Sequence, residues 1–360
     1  MSENINNKDY SLRKENIKLE YLKEENSKKE YNLGIGLLRI LLSFMVVIDH
    51  FYNSKNKKEY YYLLFYHIPT FFLISYYFTY KTFISFNISK IKLRLERILI
   101  PYFSWCIISW IIRNIYFYVT NINSYYRLKD FIFNLLNGHI CNLPLWFQSV
   151  LILSTFSFLI IIFTFKKNYL LVLTIYSILS YILQYSGFNY IFFIKYSTIH
   201  FRLTYGRFAE AIPNAVSGFT LASLGMLKNG KKCKKKIIFF SLLILIIISK
   251  YDIFSELKSF KYGGLRLNIA AICIFLFFSL LPIEILKCKI IIFMIKQISI
   301  YTGGVYFTHY LIGRVFLSKI LTFIKNSTFL GCLKIYLISY IVCLIGTKIF
   351  KKTKFRHLFS

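Results

Sequence analysis

Residues 33–51 read LGIGLLRILLSFMVVIDHF, and Arg39, Asp49 and His50 are the only charged or titratable side chains in that run. An apolar stretch of about this length is long enough to cross the hydrocarbon of a bilayer as one α-helix. Arg39 and His50 are eleven residues apart, close to three helical turns. Both therefore lie on one face, about 16 Å apart along the axis. A cation and an imidazole on one stripe inside lipid cost several kcal/mol, and such residues usually face a cavity and act there. The competing reading has Arg39 reaching back to the headgroups and His50 at the opposite interface.

The rest of the chain has the same character. It has 360 residues, is 56% hydrophobic and 20% aromatic, and has a mean hydropathy of +0.53. A soluble domain of this size has no use for so much apolar surface, so the class is an all-α, polytopic transmembrane bundle. The net charge is +31. Lys and Arg cluster between apolar runs and not on one soluble face, which excludes a nucleic-acid-binding protein. The seven cysteines show no CxxC or Cys/His spacing, so neither a metal site nor a disulfide framework is implied.

Three regions are expected: a polar cytosolic tail over 1–31, a membrane domain over 32–349, and a basic cytosolic tail over 350–360. Hydropathy divides the membrane domain into ten spans, near 33–53, 61–80, 98–119, 145–165, 168–186, 208–227, 236–250, 266–286, 299–321 and 330–348. With the amino terminus inside, one set of loops carries 28 Lys/Arg and the other 16 over more residues, which puts both termini in the cytosol. The 120–144 loop contains LKDFIFNLLNGHI, an amphipathic stretch expected to lie in the interface plane.

In this orientation Arg39 falls in the cytosolic leaflet and His50 near the outer end of span 1. An imidazole there can accept a hydroxyl proton at neutral pH. A permanent guanidinium can hold a phosphate or carbonyl. Span 2 opens with His67 and Pro69, and either a site or a simple interfacial first turn fits them. Before span 3, Arg94 and Arg97 are three residues apart on one face, able to clasp a phosphate or simply to anchor the helix. Trp146 opens span 4, where the aromatic belt is the alternative. Arg202, Arg207, Glu210 and Pro213 read as an outer-loop charge set. His309 lies near mid-bilayer with Tyr306 one turn before it, and Gly303 and Gly304 permit close helix approach.

Taken together, these pieces resemble the membrane acyltransferase-3 family, bacterial integral-membrane O-acyltransferases that decorate surface polysaccharides. Its first span carries Arg or Lys, ten residues, then His, as Arg39 and His50 do. Its second span reads similarly to His67, Pro69, Phe71, Phe72, Ser75 and Tyr77, with Tyr76 in place of the usual glycine. A basic segment running into Pro-Tyr fits Arg94, Arg97, Pro101 and Tyr102. Leu145-Trp146-Phe147 and the Tyr306/His309 pair also fit. The resemblance implies acyl-coenzyme A as cytosolic donor substrate, acetyl-coenzyme A foremost, with no bound cofactor or metal. It implies His50 as catalytic base, Arg39 beside it in catalysis, and Arg94 and Arg97 on the coenzyme. A glycan acceptor, the inner membrane of a bacterium and polysaccharide-assembly partners follow from the same resemblance. The rival class is a non-enzymatic flippase for a lipid-linked glycan, using Arg39, His50 and His309 as a polar pathway. A scaffold without chemistry is the third.

Overall fold

A computed structural model describes residues 31–52, 66–119, 131–132, 135, 145–185, 199–226, 233–250, 264–282, 288–313 and 329–359. The polar tail over 1–30 and nearly all of the 120–144 stretch lie outside the described residues. Side chains at 116–117, 199–206 and 249–250 also lie outside, Arg202 among them. The described residues form eleven α-helices: α1 (Leu33–Phe51), α2 (His67–Ile84), α3 (Ile88–Val119), α4 (Leu145–Phe165), α5 (Tyr169–Tyr185), α6 (Ile199–Ser223), α7 (Lys234–Lys250), α8 (Leu265–Leu280), α9 (Lys289–Ile300), α10 (Thr302–Leu311) and α11 (Phe329–Ile349). A 3₁₀ turn over Lys354–Leu358 ends the described chain. No strand occurs among the described residues.

Among the described residues, four helical stretches are long and apolar enough to cross a membrane: Leu33–Phe51, Ile88–Ile115, Leu145–Tyr185 and Phe329–Ile349. The pair α9 and α10, bent by 60° at Tyr301, makes a fifth if taken as one span. The expected ten-span count thus rests on elements that do not qualify by length and composition. α7 and α8 are 17 and 16 residues long. α2 is 18 residues but is diluted by His67, Thr70, Ser75 and three tyrosines. Outward faces are apolar, as Phe103, Ile107, Ile111 and Ile115 show by recurring every fourth residue, exposed, along α3. That stripe is what a lipid-facing helix presents.

Each helix has a local reason for where it starts or bends. Asn32 caps α1, its Oδ1 accepting from the Ile35 amide at 2.9 Å while its Nδ2 donates to the Ser279 carbonyl at 2.8 Å. Pro69 sits in the first turn of α2, where its missing N–H costs nothing. Pro213 lies inside α6 and frees the carbonyl of Ala209 four residues back. The fully buried Gln184 of α5 repairs that defect by donating to Ala209 O at 2.8 Å, and its Oε1 accepts from the Gly264 amide at 3.1 Å.

Close packing fixes the centre of the bundle. α6 lies against α2 so tightly that a Cβ at Gly218 would overlap the Leu73 carbonyl oxygen. Between α6 and α8 runs a buried polar ladder. Asn268 Nδ2 donates to Asn214 Oδ1 at 3.0 Å, and Ser217 donates to Asn268 Oδ1 at 3.1 Å. In lipid such internal partners matter because no water is present to satisfy these groups. Part of the basic carboxyl-terminal segment packs against the bundle. Leu358 is buried, and its carbonyl accepts from Trp105 Nε1 of α3 at 3.1 Å.

Candidate functional site

His50 lies in the last turn of α1, whose helix ends as the extended Tyr52 donates its N–H back to Ile48 O. The α1 face built from Leu38, Leu42, Val46 and Val47 is buried in the bundle core, and this seats the helix and aims the imidazole at α10. The His50 ring stacks on His309, with centroids 5.3 Å apart and planes 29° from parallel. The edge of Tyr310 meets the same ring at 5.8 Å. Phe51 approaches His309 edge-on at 6.1 Å, and Tyr306 reaches it at 6.1 Å from one turn earlier.

His309 is completely buried. Its Nδ1 lies 2.9 Å from the Val305 carbonyl. A carbonyl can only accept, so Nδ1 carries the proton and Nε2 presents a lone pair in the neutral ring. That Nε2 has no hydrogen-bond partner among the described residues. An orphan acceptor costs about 1–3 kcal/mol of desolvation, and this one is held beside a second imidazole.

From Tyr306 an aromatic bridge runs outward. Phe147 of α4 lies 5.3 Å from Tyr306 and 4.6 Å from Phe72 of α2. Trp146 next to it is capped by the guanidinium of Arg207, 3.8 Å from the ring centroid, a cation–π pair. Arg207, Glu210 and Pro213 sit inside α6 and not in a loop, because α6 begins at Ile199. His67 is fully buried in the first turn of α2.

A second polar cluster lies deeper between α2, α3 and α4. Arg94 of α3 turns inward and its Nη2 donates to Ser75 Oγ, while its Nε is buried without a partner among the described residues. Arg97, one turn on, is exposed. The two arginines thus diverge, one into the bundle and one toward its surface. Tyr76, where the family pattern has glycine, is completely buried. Its hydroxyl donates to Ser154 at 2.7 Å and its ring packs on Phe158 at 4.5 Å. The larger residue is accommodated by a neighbouring helix that offers a hydroxyl and a ring.

Arg39 is half-buried near the start of α1, with the Tyr31 phenol as its electrostatic neighbour. About three turns separate it from His50, so the fold brings His50, Tyr306 and His309 together and leaves Arg39 at the far end of the same stripe. Tyr310, Phe147 and Arg207 complete the surroundings of the site. Arg207 stands out in the sequence by its charge and Phe147 by its place in Leu145-Trp146-Phe147, whereas Tyr310 carries no such signal. No group of three or more potential metal ligands occurs among the described residues.

Compared with known proteins, the chain matches a family model described as an acyltransferase domain over residues 32–348, nearly its whole length. No significant match is found among curated proteins or among solved structures.

Proposed function

The chain belongs to this acyltransferase family, and from that premise we propose that it transfers an acyl group, acetyl foremost, from cytosolic acyl-coenzyme A to a hydroxyl of a cell-surface polysaccharide or its lipid-linked precursor. Its kind is that of a multi-pass membrane acyltransferase, and the membrane we assign is the bacterial inner one. The observation that supports this reading best is the His50–His309 stack, which puts two imidazoles at one point inside the bundle.

In the proposed step His50 takes the proton from the acceptor hydroxyl as its oxygen attacks the thioester carbonyl carbon. The C–O bond forms, the C–S bond breaks, and coenzyme A leaves as the thiolate. The proton held by His50 then returns to that sulfur or to solvent, so that an ester and free coenzyme A result. His309, its Nε2 left as an acceptor, takes a hydrogen bond from a neighbouring hydroxyl of the same sugar and so turns the reacting hydroxyl toward His50. Arg97, exposed at the start of α3, holds phosphates of the donor, Arg94, turned inward on Ser75, braces the helix beside it, and Arg39 contributes charge from the donor side of the helix that carries His50. His67, Ser75, Trp146 and Tyr306 shape the path between them. An acceptor glycan delivered by polysaccharide-assembly proteins would complete the cycle.

The test is coenzyme A release by the purified protein supplied with acetyl-coenzyme A and a glycan acceptor, alongside O-acetyl NMR signals of surface glycan from wild-type and deletion cells. Acceptor-dependent release and loss of the signals on deletion are expected. Unchanged signals with no release would leave a transporter or scaffold instead.

A further inference from the structure

The carboxyl-terminal turn is built into the bundle and does not trail from it. Phe359 packs edge-on against Trp105 at 5.9 Å and stacks on Phe350 at 5.8 Å. A Cβ at Gly304 would come within 2.5 Å of the Phe359 carbonyl oxygen, so this glycine of α10 leaves the room in which the turn docks. Trp105 in turn stacks on Phe307, two residues from His309. Next to this anchor, Lys354 Nζ pairs with Glu96 Oε1 at 2.9 Å.

Docking sets the charges of the turn against the first turns of α3. The Lys354–Glu96 pair brings the turn against α3, so that Arg97, next to Glu96, and Arg356, two residues past Lys354, lie on facing segments, both exposed. Glu96 is the one carboxylate acting there, and it is already engaged by Lys354. Burial first, then the two guanidiniums, holds His357 below its ordinary value. Like charges gathered beside a built anchor, with their nearest carboxylate spent, form a cradle for a phosphate-bearing ligand.

We propose that the turn Lys354–Leu358, docked on α3 through Lys354–Glu96 and Trp105–Leu358, forms with the start of α3 a phosphate-binding site whose forks are Arg97 and Arg356. On the reading given under the proposed function, on which this rests, the phosphates are those of coenzyme A. From Arg97 to Trp105 is about 12 Å along α3, so phosphates held at this rim leave the thioester arm pointing along Trp105 and Phe307 toward the imidazole pair. An anionic lipid headgroup carries the same chemistry.

The experiment uses the full chain in nanodiscs of zwitterionic lipid, with Arg356→Ala and Arg356→Ala/His357→Ala variants that keep Leu358 and Phe359. Calorimetry with coenzyme A should show the Kd raised about tenfold or more, as expected on losing charge-assisted hydrogen bonds. S-acetylpantetheine, which lacks the phosphates, should bind wild type and variants alike. An unchanged coenzyme A Kd with lost retention of phosphatidylglycerol by native mass spectrometry would keep the site and assign it to lipid. Unchanged binding of both probes overturns the site. A wild-type chain that retains the lipid through Arg356 but binds no coenzyme A would refute the donor assignment and leave this site standing. Trypsin cleavage at Lys351 and Lys352 at the wild-type rate confirms that the variants still dock.

Discussion

The imidazoles of His50 and His309, 259 positions apart in sequence, stack with centroids 5.3 Å apart. Helix α1 contributes one ring from its last turn and α10 the other from its own. Among the described residues this is where titratable rings meet inside the bundle, and the predictions about chemistry start from it.

His50→Ala is expected to lower acyl transfer by about 10²–10⁴, the usual cost of a missing general base. His50 is half-exposed at a helix end, so membrane insertion and thermal stability should change little. Turnover measured on purified protein at wild-type rate would exclude it as the base.

His309→Phe keeps a ring against His50 but removes the Nε2 lone pair. A fall in kcat of about tenfold or more with KM for the acyl donor unchanged is expected of a group that orients the acceptor. His309→Gln, which retains an acceptor, should recover part of the rate. Equal losses in both variants would indicate a packing role alone.

Gln184→Leu tests the repair of the proline in α6. It leaves the Ala209 carbonyl and the Gly264 amide without their buried partner. A destabilisation of roughly 1–3 kcal/mol is expected, since each orphaned group carries a desolvation cost. A lowered midpoint in thermal unfolding in detergent, with activity retained below it, would show this.

Docking of the carboxyl-terminal turn should depend on pH through His357. Its folded value lies below the ordinary 6.5, first through burial and then through Arg356 and Arg97, with Glu96 opposing. A depressed histidine binds fewer protons folded than unfolded, so docking is at full strength above 6.5 and weakens as pH falls below it. Trypsin cleavage at Lys351 and Lys352, normalised to a free peptide of the same sequence, should therefore be faster at acid pH. His357→Gln should flatten that dependence.

Sidedness is checked separately. A reporter fused after Ser360 is expected to report the cytosol, and cysteines placed at 121–124 should label from outside, as the basic-residue bias requires. A carboxyl terminus outside the cell would mean an odd number of crossings. A reversed amino terminus would put His50 on the donor side and end the proposal of transfer across the membrane.

Much of the fold was legible because hydropathy and helix period are local. LGIGLLRILLSFMVVIDHF specifies a buried helix by itself, and the helices of the model begin and end close to many of the expected spans. The eleven-residue spacing also placed Arg39 and His50 on one stripe, since helical geometry is set by the backbone alone. What hydropathy cannot specify is which helix a given face meets, or what a polar side chain finds there. The pairing of His50 with His309, the inward turn of Arg94 to Ser75, and the capping of Trp146 by Arg207 all join residues distant in sequence. The same holds for Gln184, which satisfies a carbonyl that Pro213 exposed in another helix. The 350–360 segment reads as a basic cytosolic tail because its charges dominate its composition. It docks because Leu358 and Phe359 find Trp105 and the space beside Gly304, and that space exists only once α3, α10 and α11 have packed.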